Sequence, residues 1–255
     1  MLEALMSMPV SIGLLIWISR IKKNDPFPKF TFARLLIFGV ISLLVSAVIS
    51  LIGSMIVILI QIGPEQLGML MNAETAAQVI QGINDASNEM TVSSLLIRFA
   101  RTFVLIGLAE EVLKFLCAKT GMRREGTVHT WKDALLCFAV VAIGFQIAED
   151  IMYSSGSMGI AIYRALTPFH FTFAVIMGYI WGLGKVKGNR FYTVVALAIP
   201  ALIHALYDFS VNLLRRSDDY AVFALAMSLF MFILTVVMIL KLRKWNRDGN
   251  LDIYI

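Results

Sequence analysis

The chain of 255 residues is too apolar for an ordinary soluble domain, because 59% of its residues are hydrophobic and 15% are charged. Soluble domains are about half apolar and roughly a quarter charged. The formal net charge of +5 could suggest a nucleic-acid-binding protein, but the basic residues gather in alternate loops. We therefore expect an integral membrane protein whose partners are the lipid bilayer and its anionic headgroups, and not nucleic acid.

Seven apolar runs have about the length that crosses a bilayer, roughly 20 residues. They predict transmembrane helices near residues 3–20, 35–60, 97–119, 133–153, 160–183, 192–214 and 221–241. The first run is predicted to be retained, since Glu3 stands where a signal peptide carries a basic residue. The expected fold is all-α: a polytopic helix bundle of about seven transmembrane helices, forming a single domain over 1–255 with a motif-bearing core at 97–214.

The longest break between the apolar runs is the acidic segment 61–94, in which apolar residues recur loosely at helical spacing. Two interpretations stay open for this segment. It is either a solvated external connector or a short amphipathic helix that guides substrate over the outer opening.

Lys and Arg mark alternate loops and so predict the orientation of the chain. They cluster in 20–29, 119–132, 185–190 and 241–247, whereas 61–97 and 154–163 contain none. Arg215 and Arg216 alone interrupt the alternation of the loops. By the positive-inside rule, the N-terminus is predicted outside and the C-terminus in the cytoplasm.

Ionisable residues inside the apolar runs are the strongest sign of function. A charged group at the centre of a spanning helix costs roughly 2.5–3.5 kcal/mol on insertion scales. Those in the third to sixth runs are Glu110, Glu111, Lys114, Glu149, Asp150, His170, His204 and Asp208. Such groups are too costly to scatter over lipid-facing surfaces. We therefore expect the two histidines and Glu110, Glu111 and Glu149 to converge on one water-accessible cavity between these spans.

The spacing of these residues indicates which of them can interact. Lys114 lies four residues after Glu110 and three after Glu111, within ion-pair reach of either. Neighbours on a helix diverge by about 100°, so the two carboxylates are expected to differ in role. His204 and Asp208 share a helix face, which allows Asp208 to orient the imidazole. Each pair also fits a structural contact, so the residues leave an enzyme, a proton-coupled transporter or channel, and a scaffold open.

Four short motifs follow one another on successive predicted spans. They are EEVLK at 110–114, FQIAED at 145–150, HFTFAVIMG at 170–178 and HALYD at 204–208. Together they resemble the PrsW family of intramembrane proteases, whose pattern is EExxK, FxxxE, a His-led segment that ends in Gly, and HxxxD or HxxxN. Gln146 and Asp150 depart from the residues frequent at those positions. The related CAAX-protease and bacteriocin-processing superfamily typically has Arg in place of Lys114 and His in place of Glu149, so the PrsW branch is more similar.

The resemblance implies an intramembrane protease that hydrolyses a peptide bond in a membrane-anchored protein substrate. Founding members of the family are implicated in clipping an anti-sigma factor, which would place the chain in a bacterial or archaeal plasma membrane. The implied catalytic residues are Glu110, Glu111, Glu149, His170 and His204, supported by Lys114, Asp208 and Asp150.

The chemistry implied by the resemblance has two forms. Either a glutamate activates water without any cofactor, or a divalent metal such as zinc does so. The candidate metal ligands are Glu111, His170 and His204, because carboxylate and imidazole are common zinc ligands. His170 follows Pro168, which can kink the fifth predicted helix and free backbone groups to line a cavity.

The predicted orientation can be checked by cysteine labelling of intact cells. A probe placed within 72–88 should react with an impermeant reagent, because this loop is predicted to face outside. A probe within 122–128 should not react, because that loop is predicted to face the cytoplasm. The reverse pattern would overturn the orientation and would move the active site relative to its substrate.

Overall fold

The computed structural model describes residues 2–22, 27–62, 68–69, 75, 78–79, 90–123, 128–153 and 158–255, and within these ranges the predicted all-α fold is confirmed. The helices are α1 (Leu2–Ser7), α2 (Pro9–Ile21), α3 (Lys29–Gln61), α4 (Val92–Thr102), α5 (Ala109–Arg123), α6 (Trp131–Tyr153), α7 (Met158–Leu166), α8 (Phe169–Val186), α9 (Phe191–Leu214) and α10 (Ala221–Asp248). A π-helix, Phe103–Leu108, joins α4 to α5, and a 3₁₀ turn, Asp218–Tyr220, precedes α10. The 61–94 connector lies almost wholly outside the described residues, so neither of its interpretations is tested.

Six helical stretches of the described chain are long and apolar enough to cross a membrane. They are Phe30–Gln61, Val92–Arg123, Trp131–Tyr153, Met158–Val186, Phe191–Leu214 and Asp218–Asp248. These match the second to seventh predicted spans, so the chain is an integral membrane protein. The predicted count of seven is approximate, because the first span is divided before Pro9 and α2 has only 13 residues.

The divided N-terminal segment nevertheless extends along the bundle. Helix α1 contacts α7, which follows the end of α6. At the other end of the segment, Lys22 Nζ lies 2.7 Å from Asp133 Oδ1 in the first turn of α6. The segment therefore follows α6 from its end to its start, in two pieces where a single first span was predicted.

Helix α6 lies at the centre of the bundle. Every residue from Ala134 to Phe145 is buried, as expected of a helix that is apolar on all sides. Helices α3, α5 and α8 pack around it. The outer faces of α3 and α10 instead expose apolar side chains, including Leu51 and Leu225, as suits contact with lipid tails.

Two glycines allow α3 and α6 to pack backbone against backbone. A Cβ built on Gly39 would meet the carbonyl oxygen of Val141 and would lie 2.6 Å from the amide nitrogen of Phe145. A Cβ on Gly144 would in turn meet the carbonyl of Leu36. The close approach of the two helices therefore depends on both glycines, and it sets the position of the α6 residues that follow.

Substitution of Gly39 by Ala should destabilise the protein, because the added methyl group would contact backbone atoms that cannot rotate away. We expect a loss of about 1–3 kcal/mol, typical of overpacking, measured as a lower thermal unfolding temperature in detergent. Gly13→Ala in α2 is the matched control, since a Cβ added at Gly13 would have no neighbouring atom within 4 Å. Equal unfolding temperatures for the two variants would contradict this account of the α3–α6 contact.

Candidate active site

The first of the buried carboxylates follows directly on the π-helix. Such π-helical turns are rare and frequently lie at functional sites. Within this turn, a Cβ on Gly107 would lie 2.6 Å from the carbonyl oxygen of Ala201 in α9. The glycine thus lets the start of α5, which carries Glu110 and Glu111, pack closely against the helix that carries His204.

The ammonium group of Lys114 connects three helices. Its Nζ donates to Glu111 Oε1 at 2.6 Å within α5, and it lies 2.7 Å from His170 Nδ1 of α8. It also lies 3.9 Å from Glu110 Oε2 and 4.3 Å from the centre of the Phe145 ring of α6. The side chain is 3% exposed, so these contacts replace its lost hydration.

His170 is held at both ring nitrogens. Because the ammonium of Lys114 is the donor at Nδ1, a neutral ring carries its proton on Nε2. Nε2 then donates to Glu149 Oε2 at 2.7 Å. The backbone N–H of His170 donates to Gln146 Oε1 at 3.2 Å. Phe145 packs on the ring with 4.5 Å between centroids.

The interruption that the sequence predicted at Pro168 is a complete break, and His170 remains near the middle of the spanning stretch Met158–Val186. The helix is broken at Thr167–Pro168, and His170 lies in the first turn of α8. Proline has no N–H to donate and disfavours helical geometry at the residue before it. Because of the break, α8 begins as a separate helix whose first turn lies beside Glu149.

Arg164 is a site residue that the sequence prediction missed. Its Nη2 donates to Glu149 Oε2 and its Nε to Asp150 Oδ1, each at 2.6 Å. Asp150 Oδ1 also accepts from Gln146 Nε2 at 2.7 Å. Arg164 is the only basic residue in 133–184 apart from His170. The signal that could have indicated its role was that Glu149 and Asp150 have no cation on their own predicted span.

His204 lies between three carboxylates. Its Nδ1 is 3.1 Å from Glu111 Oε1, and its Nε2 is 3.4 Å from Asp208 Oδ2 and 3.9 Å from Glu110 Oε2. The ring stacks on Phe173 at 5.1 Å. Its centroid is 5.2 Å from that of His170, so α8 and α9 present their imidazoles to one another.

The five residues with predicted catalytic roles therefore form one connected group at the meeting point of α5, α6, α8 and α9. Lys114, Asp150 and Asp208, predicted to support them, lie in the same network. The catalytic roles and the water-accessible cavity stay predictions.

Glu110, His170 and His204 have the composition and spacing of a metal site. Each offers one ligand atom, and these atoms lie within 4.8 Å of one another. Glu110 Oε2 is buried and has no hydrogen-bond partner among the described residues, which leaves it available as a ligand. Two nitrogens and one carboxylate oxygen are a common donor set for catalytic zinc. Glu111, the carboxylate predicted as a ligand, is instead engaged by Lys114 and His204.

Comparison with known proteins agrees with this geometry. A family model described as PrsW family intramembrane metalloprotease matches residues 32–239, a range that includes every residue of the group. The chain belongs to this family. It is therefore an intramembrane endopeptidase, the enzyme class that the motifs predicted.

Curated members of the PrsW family align with only part of the chain. "Protease PrsW" of Shouchella clausii (strain KSM-K16) is 31% identical over 153 residues, 58% of this chain and 69% of the relative. The protein of the same name in Clostridioides difficile (strain 630) is 31% identical over 119 residues, 42% and 50% of the two chains. That of Geobacillus kaustophilus (strain HTA426) is 31% identical over 140 residues, 53% and 60%. The chain thus spans between half and about two thirds of these relatives. No solved structure matches it.

Replacing Lys114 by Met should destabilise the protein strongly, because Glu111 and His170 would keep their burial but lose the buried cation. Removing one partner of a buried ion pair typically costs about 3–5 kcal/mol. The control is Lys132→Met, whose partner Asp252 is 48% exposed and whose pair should contribute about 0–1 kcal/mol. Thermal unfolding in detergent measures both variants, and an equal effect would contradict the central position of Lys114.

Proposed function

We propose that this PrsW-family protease hydrolyses its substrate at the group formed by Glu110, His170 and His204. The observation that carries the proposal is the buried Glu110 Oε2, which accepts no hydrogen bond from a described residue and lies among two imidazoles. A buried polar atom without a partner is costly, and a ligand or a reacting water at this point would offset that cost.

Glu110, His170 and His204 would hold a divalent metal, and zinc suits the donor set best. When bound, such an ion polarises the scissile carbonyl and lowers the pKa of water. The family description as a metalloprotease supports this assignment.

Glu111 and Lys114 position the imidazoles. Glu111 Oε1 lies 3.1 Å from His204 Nδ1, so it accepts the Nδ1 proton. This leaves His204 Nε2 facing Asp208 at 3.4 Å and Glu110 at 3.9 Å. Carboxylates commonly orient metal-binding histidines in this way. Lys114 holds Glu111 in place at 2.6 Å. We therefore assign Glu111 a positioning role and not that of a ligand.

We assign Glu149 the role of general base, which takes the proton from the attacking water. Its Oε2 lies 2.7 Å from His170 Nε2, next to the three-residue group. Its side chain is 14% exposed, whereas that of Glu111 is 1% exposed, so Glu149 has the readier exchange with solvent. The adjacent Arg164 keeps this carboxylate oriented toward the group at 2.6 Å.

A metal-free mechanism is the second candidate, and one observation favours it. Both nitrogens of His170 already have protein partners at 2.7 Å, which a metal would have to replace. In this mechanism Glu110 Oε2 takes the proton from water, and an imidazole N–H stabilises the oxyanion.

The substrate class follows from the membrane setting. A membrane-anchored anti-sigma factor is the substrate that the family resemblance suggests, in a bacterial or archaeal plasma membrane. The external N-terminus is predicted from the alternating basic loops.

Glu110→Gln, His170→Ala and His204→Ala should each abolish detectable cleavage of a co-expressed tagged membrane substrate while the protein still inserts. A general acid or base typically raises the reaction rate about 10²–10⁴-fold. If the site holds a metal, loss of one ligand would also remove the metal from it. Cys117→Ala is the control, because Cys117 lies on α5 outside the group and is predicted to serve packing alone. If all three site variants cleave at the native rate, the assignment of the site is wrong.

Metal analysis separates the two mechanisms. The metal mechanism predicts about one zinc per purified chain, lost in Glu110→Gln and His204→Ala and kept in Cys117→Ala. It also predicts inhibition by a chelator that added zinc reverses. Full activity in metal-free protein would instead support Glu110 as the base.

A further inference from the structure

A cavity of about 500 Å³ lies between α3, the α4–π segment and the end of α9. Its lining includes four arginines, Arg98, Arg101, Arg215 and Arg216. Serine, threonine and asparagine supply further polar atoms, and apolar residues such as Leu105 and Phe209 complete the wall. Glu110, His170 and His204 do not line this cavity, so it is separate from the proposed catalytic group.

Three of the four arginines have no acidic partner among the residues that the structure describes. No acidic residue is among its described lining residues. Arg98, Arg101 and Arg215 form no ion pair with an acidic residue of the described ranges. The Nε atom of Arg98 is buried and has no hydrogen-bond partner there. Since Arg98 and Arg101 belong to a membrane-spanning stretch, an anion in the cavity would offset their cost.

The positions of the four arginines in the sequence point the same way. Arg215 and Arg216 follow the end of α9 and interrupt the alternation of basic loops. Arg98 and Arg101 lie in α4, which begins at the same end of the bundle. The positive-inside rule favours few basic residues on this predicted outer side, so the cluster needs another explanation than topology.

We propose that this cavity binds a phosphate group, supplied by the headgroup of an anionic phospholipid or by free phosphate. Arginine matches phosphate because its planar guanidinium donates two parallel hydrogen bonds. The cavity volume lies within the range of small-ligand sites, about 300–1,000 Å³. Leu105 and Phe209 beside the guanidiniums suit the glycerol and acyl part of a lipid, and the surrounding helices span the bilayer from which a lipid enters.

The test measures lipid binding to the full chain, purified in neutral, phosphate-free detergent, by native mass spectrometry. The probes are phosphatidylglycerol, phosphatidylcholine and inorganic phosphate. Both lipids carry a phosphate, but the choline ammonium of phosphatidylcholine cancels its charge and would be repelled by the guanidiniums. The wild-type chain should therefore bind phosphatidylglycerol roughly tenfold or more tightly than phosphatidylcholine. Combined substitution of Arg98, Arg101 and Arg215 by Gln should abolish the preference.

The matched control removes the same number of positive charges near the C-terminal end of α10, away from the cavity. It combines Lys241→Gln, Arg243→Gln and Lys244→Gln. It should keep the preference. Arg215→Gln alone, at an exposed position after α9, should weaken binding if the triple variant does not fold. If inorganic phosphate binds by itself and displaces phosphatidylglycerol, the site is a phosphate site supplied from solution. Equal binding of both lipids with no phosphate binding, or an equal loss in the control, would overturn the proposal.

Discussion

The arrangement of the buried site depends on one cation in a membrane interior. Lys114 Nζ contacts Glu111 at 2.6 Å and His170 at 2.7 Å, and Glu111 in turn contacts His204. Without the ammonium, a buried carboxylate would face two imidazoles with no compensating charge. Lys114 thereby joins α5, α8 and α9 through electrostatics, in a bundle whose core is otherwise largely apolar.

A second cation has the corresponding role at the edge of the group. Arg164 contacts Glu149 and Asp150 at 2.6 Å each, and Glu149 passes this constraint to His170. The two cations therefore hold the same imidazole from opposite ring nitrogens. An intramembrane site with many acids needs such paired cations, because burial removes most of the solvent that would otherwise stabilise the carboxylates.

Much of the fold was predictable because bilayer thickness dictates the length of apolar runs, and six of these runs became the expected helices. The motif residues were predictable as one group because ionisable side chains avoid lipid. The division of the first span before Pro9 was missed, although a proline disfavours helical geometry at the residue before it. Which of Glu110 and Glu111 keeps a buried oxygen without a hydrogen-bond partner among the described residues was also out of reach. It depends on the rotation of α5, and the π-helix before Ala109 alters that rotation without a signal in the hydropathy.

The break at Thr167–Pro168 places backbone N–H groups that are not hydrogen-bonded within a helix in the membrane interior. An uninterrupted span buries all its amide groups in its own ladder and offers only side chains to a reaction. A helix that begins at Phe169 carries a partial positive charge of about half a unit at its start, and its first amide hydrogens lack partners within the helix. The backbone N–H of His170 already uses this freedom to reach Gln146. The proline thus supplies a fixed dipole beside Glu149 that no substitution of a side chain on α8 can remove.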